Sequence, residues 1–214
     1  MHTARVCRSL NVFAALAIAG LGHAQATYNV MVGGRVVGQG KYFIKKLPEG
    51  GLENYFSLYF STAEGKSEFA ARGTYNKNGR PIRENYVQKS PAGKKTTLLS
   101  YSAGSVKAEV VTDGRRITKT VKVPEGASLS SPSVFWFVKA TPRAGSQDRG
   151  YEFNSESLRF DDRLVSYIGK ETLFAGNRKI VSHKIANGMK TFWLDEKGLP
   201  VKIDLGTLQL IRQY

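Results

Sequence analysis

The chain has 214 residues, 41% of them hydrophobic, and a net charge of +15 from 32 Lys/Arg against 17 Asp/Glu. That length and apolar content suffice for a packed core and exclude a disordered polyelectrolyte. A single cysteine excludes a disulfide framework, and the one histidine and no cysteine left after removal of the N-terminal segment described next exclude the usual zinc clusters.

The first 26 residues read as an export signal. Arg5 and Arg8 form a positive start, residues 10–21 are apolar apart from Asn11 and Gly20, and Ala24-Gln25-Ala26 is a small-x-small cleavage site. The apolar stretch is too short to span a membrane, and no later one approaches the ~18 residues a spanning helix needs. Cleavage after Ala26 removes Cys7, His2 and His23, so the mature chain, 27–214, keeps His183 as its only histidine. Cys7 precedes the apolar stretch, whereas a lipid anchor needs its cysteine after it. An exported chain without disulfides fits a bacterial periplasm or cell surface. The signal takes two arginines and no acid with it, so the net charge goes from +15 to +13.

Beyond the signal the pattern is strand after strand. Residues 27–32 lead through Gly33-Gly34 into 35–46. Residues 54–61 alternate strongly, with Phe56, Leu58 and Phe60 on one face and Tyr55, Ser57 and Tyr59 on the other. Strands follow at 66–75, 82–89, 95–101, 105–112 and 115–123. Asn78-Gly79, Ala92-Gly93, Ala103-Gly104 and Asp113-Gly114 stand between them. Turns this short force antiparallel neighbours.

One segment departs from this. Ser131-Pro132 resembles a helix cap followed by a first-turn proline, and 133–139 carries Val134, Phe135, Trp136, Phe137 and Val138 in succession. We expect a short buried helix here, crossing the concave face of the sheet, with a further buried strand as the alternative. Strands resume at 150–160, 163–170, 180–186, 189–194, 201–204 and 207–213, with Asn187-Gly188 and Lys197-Gly198 as turns. No linker or fixed-period repeat divides the chain. The expected fold is mainly β: a single curved antiparallel meander, half-barrel or barrel-like, with one short central helix. So many strands cannot remain flat, because twist accumulates.

The order of parts resembles an exported bacterial β-domain family of unknown role, whose curved sheet is similar to that of the LolA/LolB-type periplasmic lipoprotein carriers. The residues that carry the resemblance are Tyr28-Asn29-Val30 with Gly38 in the next strand and the apolar turn Val134-Phe135-Trp136-Phe137. To these are added the closing run from Phe192 through Asp195-Glu196-Lys197-Gly198 to Lys202 and a last strand ending Leu210-Ile211-Arg212. The resemblance implies an exported domain with an apolar concave face. It supplies no catalytic residues and does not imply lipoprotein transport.

The residues name no reaction. His183 lies in Val181-Ser182-His183-Lys184-Ile185, opposite Ser182 and Lys184 by alternation, with no partner at a catalytic spacing. There is no Gly-x-Ser-x-Gly elbow. The acid pairs Asp161-Asp162 and Asp195-Glu196 point to opposite faces wherever the chain is extended. Gly65-Lys66-Ser67 lacks the earlier glycine of a phosphate loop, and Gly33 to Gly38 leads into a strand, not a helix. No enzyme, cofactor or metal is expected.

Charge is uneven. Residues 65–123 hold 13 Lys/Arg and 4 acids, whereas residues 145–214 hold 11 and 9. Tyr86 near Lys89 and Tyr101 near Lys94-Lys95 are the candidate stacking platforms for nucleic acid, a partner that export argues against. The expected function is non-enzymatic binding of a lipid-like or amphipathic ligand between the curved sheet and the apolar turn. Tyr55, Phe56, Tyr59, Phe60, Phe135, Trp136 and Phe137 are the candidate contacts, and the sequence leaves open which strand parity faces inward. The alternative is a basic docking protein for an anionic envelope surface, with a closed core.

Overall fold

The computed structural model describes residues 23–125, 127, 142–175, 177–196 and 198–214. The first half of the chain gives β1 (His23–Val32), β2 (Arg35–Lys46), β3 (Leu52–Thr62), β4 (Gly65–Tyr75), β5 (Pro81–Ser90), β6 (Gly93–Tyr101), β7 (Ser105–Thr112) and β8 (Arg115–Lys122). The second gives β9 (Gln147–Asn154), β10 (Arg159–Ala175), β11 (Arg178–Asn187), β12 (Lys190–Leu194), β13 (Pro200–Asp204) and β14 (Gln209–Arg212). All fourteen belong to one sheet, in the order β8 to β1 and then β14 to β9. Neighbours are antiparallel throughout, as short turns dictate.

The expectation of a short central helix is corrected. Every regular element among the described residues is a strand. The segment given the helix, 133–139, lies outside the described residues. The strands themselves supply the interior. Tyr42, Phe56 and Phe69 stand on successive strands with ring centroids 6.4 and 6.3 Å apart, and Tyr86 follows 6.4 Å beyond Phe69. Large rings on adjacent strands fill a curled sheet from within.

The curl shows in contacts between strands far apart in the sheet. Lys95 of β6 meets Glu156, in the turn between β9 and β10, at 3.3 Å. β6 and β9 stand near opposite ends of the strand order. Only a sheet wrapped on itself brings them together. The wrap leaves β8 and β9 as its two edges, unpaired with each other among the described residues.

Two boundaries depart from expectation. The strand expected over 150–160 is broken by a hairpin, with β9 ending at Asn154 and β10 beginning at Arg159. The Asn154 side chain accepts from the backbone N–H of Glu156 and of Ser157, an Asx turn that reverses the chain. β1 starts at His23, so the expected cleavage site after Ala26 falls within it. Ala26 is buried and pairs with Tyr42.

Glycine 73 shows how tightly adjacent strands pack. A Cβ there would lie 2.6 Å from both Asn54 Oδ1 and the Tyr75 hydroxyl oxygen. Its backbone N–H donates to that same Asn54 oxygen at 2.9 Å.

Candidate functional site

The alternation of β3 settles the parity that sequence left open. Phe56 and Phe60, each 1% exposed, face the core, while Tyr55 and Tyr59, 40% and 46% exposed, face outward. These four expected ligand contacts therefore stand on opposite sides of the sheet and cannot touch one ligand. Phe135, Trp136 and Phe137 lie outside the described residues.

On the outer face Tyr55 and Tyr59 border a groove of about 750 Å³. Its floor is made by small side chains, Ser57 and Ala70, with Val87 beyond them. Lys41, Glu68 and Lys89 stand around it, and Lys89 bridges Glu68 at 2.6 Å. Small residues between large neighbours hollow an otherwise convex surface. The result is a groove with a small-residue floor, an aromatic border and charged groups around it.

The inner face has a second character away from the aromatic core. Glu84 of β5 is buried and accepts three phenol donors. Tyr75 donates to Oε1 at 2.9 Å, and Tyr86 and Tyr101 donate to Oε2 at 2.9 and 2.6 Å. Burial pushes the Glu84 carboxyl above the ordinary range, and the three donors pull it back only in part. Tyr86 and Tyr101 thus turn inward instead of offering stacking platforms.

Across the interior, the inner face of β9 and β10 is polar as well. Arg163 of β10 is buried, and its Nη2 donates to Asp148 of β9 at 2.9 Å. Glu152 of β9 lies in the fields of Lys190 and Arg163. Burial still raises its carboxyl above the usual range, and Glu84 adds to the rise. Lys190, on β12, is depressed by burial, against the pull of Glu152. Four ionisable groups on four strands, two buried (Glu84, Arg163) and two half-buried (Glu152, Lys190), are costly unless mutually compensated, so they mark this wall as a candidate site.

Elsewhere the polar groups do structural work. The Tyr167 hydroxyl lies 2.9 Å from His183 Nδ1, and burial holds the imidazole below its usual pKa. Trp193, turned to the outer face, donates to Glu171 at 3.0 Å, with the ammonium groups of Lys184 and Lys202 5.1 and 4.8 Å from its ring centre. Asp195 closes the turn to Leu199 and accepts from Arg212 at 2.8 Å. Asp161 is held by Asn154 and Arg159, so it does not combine with Asp162 into a carboxylate pair. Among the described residues no group of three His, Cys, Asp or Glu side chains is placed to hold a metal.

Sequence reading missed Glu84, Glu152, Arg163 and Lys190. Glu84, Glu152 and Arg163 stand in strands already rich in charge, and Lys190 directly follows a turn, so hydropathy does not distinguish them. The available signal was register: once Tyr86 and Val165 are known to face inward, Glu84 and Arg163 must too.

No protein family's sequence profile and no curated protein matches the chain. Among solved structures it is similar to a crystal structure described as a β-barrel-like protein of the domain of unknown function DUF1849, from Brucella abortus. The TM-score is 0.56 at 11% identity, covering 89% of this chain and 94% of that one. A DUF1089 family protein from Pseudomonas aeruginosa aligns with a TM-score of 0.41 at 13% identity, over 86% and 90% of the two chains. The first likeness supports a β-barrel-like fold, in agreement with the wrapped sheet. The expected link to the LolA/LolB-type carriers is not shown by this likeness.

Proposed function

We propose that this is an exported, non-enzymatic envelope protein that docks through its basic outer face onto an anionic lipid surface. The observation that supports this reading is the sidedness of charge. Of the 4 acids in residues 65–123, Glu84 is buried inside, while the 13 Lys/Arg include Lys66, Arg72, Lys89, Lys94, Lys107 and Lys122, all exposed. Each cation close to an anionic leaflet contributes ~1 kcal/mol. Tyr55 and Tyr59 add amphipathic rings suited to the headgroup layer. The rings expected to hold an acyl chain, Phe56 and Phe60, are packed among Tyr42, Phe69 and their neighbours, which favours docking over acyl-chain carriage. A second role, holding a small polar ligand on the inner wall, is favoured by the charged set around Arg163.

The test is co-sedimentation of the mature protein with phosphatidylglycerol vesicles and with phosphatidylcholine vesicles across a salt series. Binding to the anionic vesicles should fall steeply past physiological salt, where the screening length is ~8 Å. The double variant Lys66→Glu/Lys94→Glu should weaken it at low salt. Equal binding to both lipids, or binding indifferent to salt, would overturn the reading.

A further inference from the structure

Arg163 is the most unusual side chain of the inner wall. Its side chain is 4% exposed, and among the described residues only Nη2 has a partner, Asp148. Nε and Nη1 are buried and donate to nothing among the described residues. Charged donors kept from both water and acceptors cost far more than neutral ones, so folds seldom leave them so. The guanidinium lies against bare backbone on the neighbouring strand. Gly150 stands directly opposite Arg163 on β9, and a Cβ there would come within 3.3 Å of Nη2.

A second cation shares the wall. Lys190 pairs with Asn187, which pairs with Val165, two residues along β10 from Arg163. Glu152 lies in the fields of both cations. β9, which carries Gly150 and Glu152, is an edge of the sheet.

We propose that Arg163, supported by Lys190, is a seat for the carboxylate of a small organic ligand bound against the inner wall. A carboxylate is planar and presents two acceptors to a guanidinium. It carries a single charge, which suits a wall that already holds Asp148, Glu152 and Glu84. A dianionic phosphate would be repelled by the same three acids. Burial, by favouring the protonated form of Glu152, lowers the repulsion that the ligand meets. The seat rests on the inner-wall reading and is independent of the docking face.

The experiment uses the whole mature protein with acetate, octanoate, inorganic phosphate and chloride at matched ionic strength. The readouts are the thermal midpoint and the Arg163 Nε–H resonance in a side-chain nitrogen–proton spectrum. Acetate and octanoate should raise the midpoint saturably above the chloride control and move the Nε–H resonance. A greater response to octanoate would identify an amphipathic ligand, and an equal response a small polar acid. Arg163→Gln should weaken binding at least tenfold and Lys190→Gln several-fold. If Arg163→Gln does not fold, the partly exposed Lys190 carries the test. Saturable binding of phosphate alone would overturn the carboxylate assignment but keep a ligand on this wall. Carboxylate responses no larger than chloride, or binding unchanged in Lys190→Gln, would overturn the seat itself.

Discussion

Replacing Phe56 by alanine tests the sidedness of the sheet most directly. A phenylalanine side chain buries ~150–250 Å², worth ~4–6 kcal/mol at ~25 cal/mol per Å². Phe56 is fully enclosed, between Tyr42 and Phe69 with ring centroids at 6.4 and 6.3 Å, and neither neighbour can collapse without breaking the ladder of rings. The expected loss is therefore the full ~3–5 kcal/mol of a buried Phe→Ala change. Tyr55, one residue away, should lose only ~1 kcal/mol on the same change, because its ring stands half in water on the outer face. In a chain of this size the pair should differ by roughly 6–15 °C in thermal midpoint. Urea unfolding followed by far-ultraviolet circular dichroism gives both free energies. Equal losses at the two positions, or the larger loss at Tyr55, would refute the inward placement of Phe56 and the register of β2, β3 and β4 with it.

Glu84→Gln tests the buried carboxylate. Its folded-state pKa is raised by burial, so above the unfolded value of 4.5 the folded protein holds a proton that the unfolded chain has lost, and stability falls as pH rises through that window. The variant should flatten this fall in pH-dependent urea unfolding. It should do so only partly, because Glu152 is shifted the same way; a steeper fall would contradict the assignment. Gly73→Ala should cost ~1–3 kcal/mol in the same denaturation assay, since its Cβ would press on Asn54 and Tyr75 at 2.6 Å. A variant as stable as the parent would show that the two strands can separate freely. Intact mass of the protein exported by its native host should correspond to a chain beginning at Thr27, and a mature species that retains Cys7 would contradict the export signal.

Much of the fold was legible because hairpins advertise themselves. Asp113-Gly114 reads as a tight turn, and both residues do adopt positive φ, 48° and 84°. Gly33-Gly34 does the same at 55° and 77°. The turn between β9 and β10 escaped notice for a physical reason. It relies on the Asn154 side chain and on Leu158 at φ 52°, a conformation that nothing in a leucine announces. The candidate site was less legible than the fold. Alternation separated Tyr55 from Phe56 but was silent on which side held the core. That depends on a curl set by strands distant in sequence. The charged wall also required two distant segments to come within electrostatic reach, as Glu84 of β5 and Glu152 of β9 do.

The pairing of β1 with β14 has a consequence for how this chain assembles. Among the described residues thirteen ladders hold the sheet, and all but one join strands consecutive in sequence. The exception ties Tyr28 to Arg212 and Met31 to Gln209, and it is reinforced where the Gln213 N–H donates to Thr27 O at 2.8 Å. Local hairpins close quickly, whereas a ladder between chain ends must first overcome the entropy of a very long loop. A chain emerging N-terminus first can thus zip β1 through β8 as it appears, yet one flank of β1 stays unmatched until the last strand arrives. Ligating the ends and opening the chain between β8 and β9 would remove that wait. The circular permutant would run along the sheet from one edge to the other, with every ladder made by sequence neighbours, and should reach the same fold faster.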